Sequence, residues 1–274
     1  MPHPSSFDRS VVTGAGSGLG RAIALRLARP GGQLLLADID GAACAETARL
    51  VAERGATAHT QVVDVADPAQ VEALAVEADR LLGRIDLVVN NAGVAAAGAV
   101  GQTSIDDWRW IVGINLFGVI HGCHVFAPRL VRQGGGAILN TASMAGIACA
   151  PTMGAYNVTK AGVIALSETL AAEVRAKGVR VTVLCPAFFK TNLLESARAA
   201  DPELMRMARG AFERATMSAD DVAAAALRAV ARGSLYCLPM REGRVIWRLK
   251  RLMPERFVKI VSSARVQRLA GPPK

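Results

Sequence analysis

Tyr156 and Lys160 stand four residues apart near the start of a predicted helix, at a spacing that supports proton transfer. Residues i and i+4 share one face of a helix, so the lysine ammonium can lie beside the phenol. Because a cation stabilises a phenolate, we expect Lys160 to lower the pKa of Tyr156 from its usual value of about 10. Tyr156 can then exchange a proton with an alcohol or carbonyl oxygen. The alternative is a surface helix pair without a chemical role.

Ser143 supplies a hydroxyl near the same point of the predicted fold. It follows a predicted strand over residues 137–140 and precedes the helix that carries Tyr156. A serine hydroxyl can donate a hydrogen bond to the reacting oxygen as negative charge develops on it. Ser143, Tyr156 and Lys160 together predict acid–base chemistry on an alcohol or a ketone.

A glycine-rich turn joins the first predicted strand to the first predicted helix. It reads Thr13-Gly14-Ala15-Gly16-Ser17-Gly18-Leu19-Gly20. Glycines permit a tight turn and a close approach of the backbone, and the helix N-terminus offers free N–H groups and a positive dipole end. The turn therefore predicts a pyrophosphate-binding site, with an ordinary glycine-rich turn as the alternative.

Asp38 ends the second predicted strand, beside the predicted pyrophosphate site. A carboxylate there can bind both hydroxyls of an adenosine ribose and repels a 2′-phosphate. No Lys or Arg stands at Ala15, Ser17 or Ile39 to attract that phosphate. We therefore predict NAD as the cofactor in preference to NADP, with a solvated loop carboxylate as the alternative for Asp38.

Strands and helices that alternate along the chain are predicted to position these residues. The predicted strands cover residues 10–13, 33–37, 59–63, 87–90, 137–140, 180–184 and 235–238. The predicted helices cover residues 19–29, 42–54, 68–82, 105–133, 155–177 and 219–232. Apolar strands separated by helices require parallel pairing with both faces covered. The fold class is therefore α/β, a doubly wound parallel sheet of about seven strands with helices on both faces.

The predicted sheet and its helices form one domain over residues 1–240. A looser stretch over residues 187–216 is predicted to be the substrate lid, and residues 241–274 form a basic extension. Ligands bind such sheets beyond the carboxyl ends of the strands, where Asp64, Val65 and the Asn90-Asn91-Ala92-Gly93 segment also lie.

Composition and charge narrow the class of protein. Five cysteines without a C-x-x-C pair, and an N-terminus without an apolar run, predict reduced thiols and a cytoplasmic location. The formal charge is +9, but residues 241–274 carry ten Lys or Arg and two Glu, which leaves +1 for the rest. A nucleic-acid partner is therefore not expected. His121 and His124 lack a third ligand in register, so no metal site is predicted.

The basic extension is predicted to contain an amphipathic helix. Arg244, Arg248 and Arg251 repeat at helical spacing beside an apolar stripe of Val245, Leu249 and Leu252, and Pro254 interrupts the run. The favoured interpretation is that this stripe packs on its own domain or on a partner subunit. A membrane-surface anchor or a docking arm is the alternative.

These motifs together resemble the short-chain dehydrogenase/reductase family, over about residues 8–240. The family's T-G-x-x-x-G-x-G turn is matched by Thr13, Gly14, Gly18 and Gly20, its N-N-A-G by residues 90–93, and its Y-x-x-x-K by Tyr156 and Lys160. The resemblance implies a Rossmann fold and an oxidoreductase that acts on CH–OH donors with NAD(P). It also implies a homodimer or homotetramer that assembles through the two long helices.

The resemblance assigns further residues to the site. Asn115 is implied to hold a water in a proton relay, with a buried, satisfied helix amide as the alternative. The implied cofactor contacts come from Gly14, Ser17, Gly18, Leu19, Gly20, Asp38, Ile39, Asp64, Val65, Asn91, Ala92, Gly93, Tyr156, Lys160, Pro186, Phe189 and Thr191. The implied substrate contacts come from Ser143, Val94, Ala145, Cys149, Met153 and Phe188, with the segment over residues 192–212.

The substrate predicted from these contacts is a hydrophobic alcohol or ketone, since nearly all of them are apolar. The sequence departs from the family after the sixth strand, where Ala187 replaces the usual glycine and Phe188 and Phe189 follow. Two other functions remain open. One is a catalytically idle dinucleotide-binding scaffold or regulator, which the intact set of catalytic residues disfavours. The other is a membrane-attached reductase of a lipid or retinoid type.

Overall fold

The computed structural model describes residues 7–199 and 202–262 of the 274-residue chain. Residues 1–6 of the predicted domain and 263–274 of the predicted extension lie outside the described residues. The described strands are β1 (Arg9–Thr13), β2 (Gln33–Asp38), β3 (Thr57–Val62), β4 (Leu87–Asn90), β5 (Ala96–Ala97), β6 (Gly136–Thr141), β7 (Val179–Leu184), β8 (Arg198–Ala199) and β9 (Tyr236–Cys237).

The described helices alternate with these strands. They are α1 (Gly18–Leu27), α2 (Gly41–Ala52), α3 (Pro68–Leu82), α4 (Ile105–Val112), α5 (Gly118–Arg132), α6 (Met144–Ala148), α7 (Gly154–Val174), α8 (Pro202–Glu213), α9 (Ala219–Ala231), α10 (Arg241–Leu252) and α11 (Pro254–Val261). A π-helical segment, Gly113–Phe117, joins α4 to α5, and a short 3₁₀ turn follows α7.

Seven strands form one parallel sheet in the order β3-β2-β1-β4-β6-β7-β9. The chain starts in the middle at β1, moves outwards to β3, and returns to place β4 on the other side of β1. Crossovers in opposite directions open a crevice at the carboxyl ends of β1 and β4, which is where such sheets bind ligands. The predicted doubly wound sheet of about seven strands is confirmed.

The sheet is buried on both faces because its central strands are apolar at consecutive positions. Leu35 of β2 packs in a cluster with α3, α5 and α7, whereas Leu36 packs in a second cluster with α1, α2 and α9. Successive side chains of a strand point to opposite faces, so consecutive leucines feed both layers. Burial of each leucine contributes about 1.5 to 3 kcal/mol. This two-sided core holds the strand ends, and the residues on them, in fixed positions.

Two predicted elements differ from the structure. The helix predicted over residues 105–133 is interrupted by the π-helical segment Gly113–Phe117, which carries Asn115. The stretch predicted to be loose over residues 187–216 contains α8 and also β8, which pairs with β5. No residue of α8 is buried. The two residues of β8 are too few to show a period, whereas α8 is amphipathic and its helical pattern was overlooked in the sequence.

The run from Ile105 to Arg132 is apolar enough and long enough to cross a membrane, and among the described residues no other helix is. Half of its apolar window is buried inside the protein, with Phe126 and Leu130 fully inaccessible. A core helix of the sheet accounts for this composition. The cytoplasmic location remains a prediction.

The interpretation that the stripe of α10 packs on its own domain is wrong. The helix buries its opposite face: Gly243 lies against Met144 of α6, and Trp247 packs on Tyr236 with ring centroids 5.4 Å apart. Lys250 Nζ also donates a hydrogen bond to the carbonyl of Ile147. A glycine that permits close approach and a large indole favour this face for burial. The predicted stripe of Val245, Leu249 and Leu252 remains exposed.

Candidate active site

The glycine-rich turn brings the start of α1 close to the end of β1. Gly18 has a φ of +49°, and a Cβ there would lie 2.7 Å from Thr191 Oγ1. The Ser17 side chain makes no capping hydrogen bond to α1. The first N–H groups of the helix are therefore available to an anion, at the positive end of the helix dipole. This geometry fits the pyrophosphate of a dinucleotide.

Gly20 is the position where substitution should be most damaging to this turn. A Cβ at Gly20 would lie 1.9 Å from the carbonyl oxygen of Gly14 and 2.7 Å from Asn91 Nδ2. We expect Gly20→Ala to destabilise the fold by about 1 to 3 kcal/mol, because the backbone of the turn must shift, and to weaken NADH binding. Thermal unfolding and fluorescence titration measure the two effects. Gly101→Ala is the control, since its Cβ meets nothing within 4 Å, and equal losses in both variants would contradict the expectation.

Asn91 ties the turn to the neighbouring strand ends. Its backbone N–H donates to Thr13 Oγ1 at 3.0 Å, and its Nδ2 donates to the Thr13 carbonyl at 3.1 Å. The hydroxyl of Thr141, at the end of β6, donates to Asn91 Oδ1 at 3.3 Å. One side chain therefore holds the ends of β1, β4 and β6 together at the bottom of the crevice.

Asp38 lies at the end of β2, beside the turn. One carboxylate oxygen accepts a hydrogen bond from the Gly16 N–H at 2.7 Å, and the other accepts one from the Asp40 N–H at 3.0 Å. These bonds fix the carboxylate at the rim of the cavity described below. An ionised carboxylate has about four acceptor positions, and two of them are used here. The other two can accept hydrogen bonds from the two ribose hydroxyls.

Tyr156, Lys160 and Ser143 come together beside this turn. The Tyr156 phenol hydrogen-bonds Ser143, and Lys160 Nζ lies 5.7 Å from the centre of the Tyr156 ring. Lys160 Nζ donates to the Thr141 carbonyl at 3.0 Å, and Ser143 Oγ caps α6 by accepting from the Ala145 N–H at 3.1 Å. Tyr156 and Lys160 are both buried. The sequence prediction that these side chains share one location agrees with this geometry.

The predicted effect of Lys160 on the pKa of Tyr156 is not the dominant one. Burial raises the pKa of Tyr156 to about 12, and only the hydrogen bond from Ser143 acts in the opposite direction. Burial likewise lowers the pKa of Lys160 to about 8, because a low-dielectric site disfavours the ammonium. The pKa of Tyr156 is therefore raised and not lowered as predicted, because desolvation is the dominant effect.

Asn115 lies fully buried in the π-helical segment. Its Oδ1 accepts from the Val94 N–H at 2.8 Å, and its Nδ2 donates to the Val94 carbonyl at 2.8 Å. The same Nδ2 lies 3.5 Å from Thr159 Oγ1. The side-chain amide therefore pairs with both polar groups of the Val94 backbone, as a neighbouring strand would, in the segment that follows β4. This geometry matches the alternative reading of Asn115 as a satisfied amide, in a π-helical turn of the kind often found at functional sites.

A cavity of about 330 Å³ opens at these strand ends. Among the residues predicted to contact the cofactor, all but Gly20 line it. Sequence reasoning missed Val63, Ile114, Thr141 and Ala142, and it assigned Asn192, Leu193 and Ser196 to the substrate only. Thr141 and Ala142 directly follow the predicted strand over residues 137–140. Their position could have revealed them, since cofactors cross the sheet at strand ends.

Four of the six predicted substrate residues fall into two groups. Val94 lines the cavity and packs with Tyr156, Ala145 and Met153 in one apolar cluster. Phe188 is half exposed and packs edge to face against Phe212 of α8, with ring centroids 5.3 Å apart. The first group gives the surroundings of Tyr156 an apolar wall, and the phenylalanine pair joins the beginning of the predicted lid to α8 within it.

Cys149 lies apart from both groups. Its side chain is exposed, its φ is +52° at the end of α6, and Lys250 Nζ lies 3.2 Å from its Sγ. The residue lines the boundary between α6 and α10 and does not line the cavity. The predicted substrate contact from Cys149 therefore has no support in the geometry.

A family model described as short chain dehydrogenase matches residues 9–202. The chain belongs to the short-chain dehydrogenase family. Probable oxidoreductase EphD of Mycobacterium tuberculosis is 36% identical over 253 residues, which are 89% of this chain and 43% of that protein. The chain thus spans less than half the length of that relative. The 1-deoxy-11-beta-hydroxypentalenate dehydrogenase of Streptomyces exfoliatus is 34% identical over 258 residues, covering 89% of this chain and 90% of that protein.

Solved structures of the family superpose on the chain. A short-chain dehydrogenase/reductase from Burkholderia phymatum in complex with NAD has a TM-score of 0.86 at 37% identity, covering 91% of this chain and 95% of that one. A short-chain dehydrogenase from Sphingobium yanoikuyae in complex with NADPH has a TM-score of 0.75 at 28% identity, covering 93% and 96%. The two curated relatives are described as an oxidoreductase and a dehydrogenase, and the chain has the dinucleotide-binding fold of the family. Both dinucleotides occur among its structural neighbours.

Proposed function

We propose that this chain transfers a hydride between NAD and a hydrophobic secondary alcohol or ketone. The observation that carries the proposal is the position of Tyr156, which hydrogen-bonds Ser143, lies beside Lys160 and borders the same cavity as the glycine turn. A bound nicotinamide supplies the hydride donor or acceptor. The protein supplies the proton and the orientation of the substrate oxygen.

Tyr156 is the proposed acid and base. Because burial raises its pKa to about 12, the phenol keeps its proton near neutral pH and can donate it to a carbonyl oxygen. Ser143 lies beside the phenol and would donate a hydrogen bond to the same oxygen. Lys160 is held near the ring by the Thr141 carbonyl, and its charge stabilises the phenolate that remains after proton transfer.

Asn115 is proposed to position the site through Val94. The two hydrogen bonds between its amide and the Val94 backbone hold the segment that carries Gly93, whose Cβ position would lie 3.4 Å from Lys160 Nζ. A fixed segment keeps the lysine close to the cavity. A water relay at Asn115 stays a prediction.

NAD is the proposed cofactor because of Asp38. Its carboxylate is oriented by the Gly16 N–H at the rim of the cavity, where a 2′-phosphate would meet a like charge. The exposed neighbour Ile39 offers no cation. Arg21 is engaged with Thr47 and with the Gly16 carbonyl.

Replacing Asp38 should reduce the preference of the protein for NAD over NADP. We expect Asp38→Ala to lower the affinity for NAD by about 10- to 100-fold, since hydrogen bonds to a charged group contribute about 1.5 to 3 kcal/mol, and to improve binding of NADP. Fluorescence titration with NADH and NADPH measures both constants. Asp40→Ala is the matched control, because that carboxylate caps α2 by accepting from the Ala43 N–H. An unchanged preference in Asp38→Ala would exclude Asp38 as the ribose partner.

The proposed substrate is apolar because the side chains that surround Tyr156 are apolar. Val94, Ala145 and Met153 pack with Tyr156, and Trp108 and Trp110 extend the same cluster. A charged substrate would lose its hydration against these apolar side chains, and Arg198, which stacks on Trp110, is already paired with Asp107. A homo-oligomer is proposed because Phe117 of the π-helical segment and Val158 of α7 are both half exposed, and an apolar contact with a second copy would bury them.

The proposal is tested by binding and turnover together. The purified chain is titrated with NADH and NADPH by fluorescence, and a panel of hydrophobic ketones and secondary alcohols is then screened at the nicotinamide absorbance band. Tighter binding of NADH with turnover of panel members supports the proposal. Binding without turnover of any member favours the catalytically idle scaffold, and tighter binding of NADPH overturns the cofactor assignment.

A further inference from the structure

Two consecutive helices at the end of the described chain present apolar side chains to solvent. Leu252 and Val245 of α10 are 78% and 55% exposed, and Val258 of α11 is 62% exposed. Met253 lies exposed at the junction between the helices. The inner faces are used already, since Trp247 packs on Tyr236 and Phe257 is buried. The outward apolar row is therefore a surface of the folded protein.

Basic residues border this apolar row. Residues 241–262 carry seven Lys or Arg and two Glu. Arg241, Arg244 and Arg248 are exposed, and no salt bridge found among the described residues involves them. At 100° per residue these arginines lie to one side of Val245 and Leu252, opposite the buried face. Apolar side chains flanked by arginines form an amphipathic surface whose polar part is cationic.

A cavity of about 290 Å³ lies at the edge of the same surface. Three arginines line it: Arg228 of α9, Arg232 directly after α9, and Arg244 of α10. Guanidinium groups are planar forks that match phosphate oxygens, so three of them around one cavity suit a phosphate group. Arg244 belongs to the cavity and to the helix beside the apolar row. The row and the cavity are thus continuous.

We propose that α10, α11 and the arginine cavity form a docking surface for a membrane that contains anionic phospholipid. An interfacial helix inserts its apolar row at the boundary between headgroups and acyl chains, while arginines remain among the headgroups. The arginine cavity takes a headgroup phosphate. A second copy of the chain fits less well, because a two-fold contact would bring the exposed arginines of two copies together.

The docking surface lies one helix away from the proposed active site. The inner face of α10 contacts α6, whose first turn is capped by Ser143, through Gly243 against Met144 and through Lys250 to the Ile147 carbonyl. A docked membrane would therefore meet the protein next to the segment that carries Ser143. Binding to the membrane requires no substrate or cofactor, so its test is independent of the proposed function.

The experiment is flotation of the full chain with vesicles of phosphatidylcholine alone or of equal parts phosphatidylcholine and phosphatidylglycerol. We expect binding to the anionic vesicles only, and release at high salt. Since each basic residue near an anionic surface contributes about fivefold in affinity, Arg228→Glu/Arg232→Glu/Arg244→Glu should weaken binding by at least about a hundredfold. Val245→Asp/Leu252→Asp should abolish it by removing the apolar row.

Matched control variants test whether vesicle binding depends on this surface or only on the overall charge and the exposed apolar area of the protein. Arg132→Glu/Arg175→Glu/Lys177→Glu removes three exposed cations at the other end of the sheet, and Val76→Asp replaces an exposed valine of α3; both should bind as the unmodified chain does. Circular dichroism and thermal unfolding establish that each variant is folded. Equal binding to neutral vesicles, or no binding to anionic vesicles, overturns the proposal. If the unmodified chain does not bind vesicles and Val245→Asp/Leu252→Asp changes the oligomeric state, the proposal is also overturned. The surface is then a contact with a second copy of the chain.

Discussion

Tyr156→Phe should lower kcat by about 10²- to 10⁴-fold and leave the affinity for NADH nearly unchanged. The substitution removes only the hydroxyl, which is the proposed proton donor and the partner of Ser143. The ring keeps its place in the apolar cluster beside Lys160, so the wall of the cavity is preserved. Steady-state turnover of a ketone identified in the panel, together with NADH titration, measures the two quantities.

The second tyrosine of the chain provides a matched control. Tyr236 lies on β9, hydrogen-bonds Glu168 and lies outside the cavity that holds Tyr156. Tyr236→Phe removes the same atom from a different place, and we expect turnover close to that of the unmodified chain. Retained turnover in Tyr156→Phe would remove this residue from the chemistry. An equal loss in both variants would point to a general effect of removing a hydrogen-bonded tyrosine hydroxyl.

The sheet and the cofactor side of the site could be predicted because local signals and topology agree. Apolar runs predicted the buried strands, and the carboxyl ends of parallel strands meet at one edge of a sheet. Asp38 and Asn91 each stand at such an end and line the cavity, and Thr13 at the end of β1 accepts hydrogen bonds from Asn91. The two hydrogen bonds that Asn91 donates to Thr13 add a reason for this asparagine that spacing alone does not supply.

The remaining features depend on tertiary packing, which sequence patterns do not encode. The β5–β8 pair joins two residues to two others about a hundred positions away, too few for a period. The buried face of α10 was predicted wrongly because both sides of the helix carry apolar residues. The side with Gly243 and Trp247 is buried, since Gly243 lies against Met144 and Trp247 packs on Tyr236. The pKa of Tyr156 was misjudged because sequence reveals its neighbour Lys160 but not the depth of burial.

Lys160→Met should raise the stability of the protein while it removes turnover. Burial lowers the pKa of Lys160 to about 8 from its ordinary value of 10.5, so the folded protein bears the cost of a desolvated ammonium at neutral pH. Methionine has a similar length and no charge. We expect the free energy of unfolding to rise by about 1 to 3 kcal/mol at pH 7, even after loss of the hydrogen bond to the Thr141 carbonyl. Chemical denaturation measures the gain.

The pH dependence identifies the ammonium as the cause of that gain. Below pH 8 the lysine is protonated in both the folded and the unfolded chain, and the cost of burial is fully present. Between pH 8 and 10.5 the folded chain has lost the proton that the unfolded chain still binds, so stability rises with pH. We therefore expect the difference in unfolding free energy between Lys160→Met and the unmodified chain to shrink over this window. Lys177→Met, at an exposed lysine, should show no such window, and a difference that is constant with pH would mean that Lys160 is not charged in the folded protein.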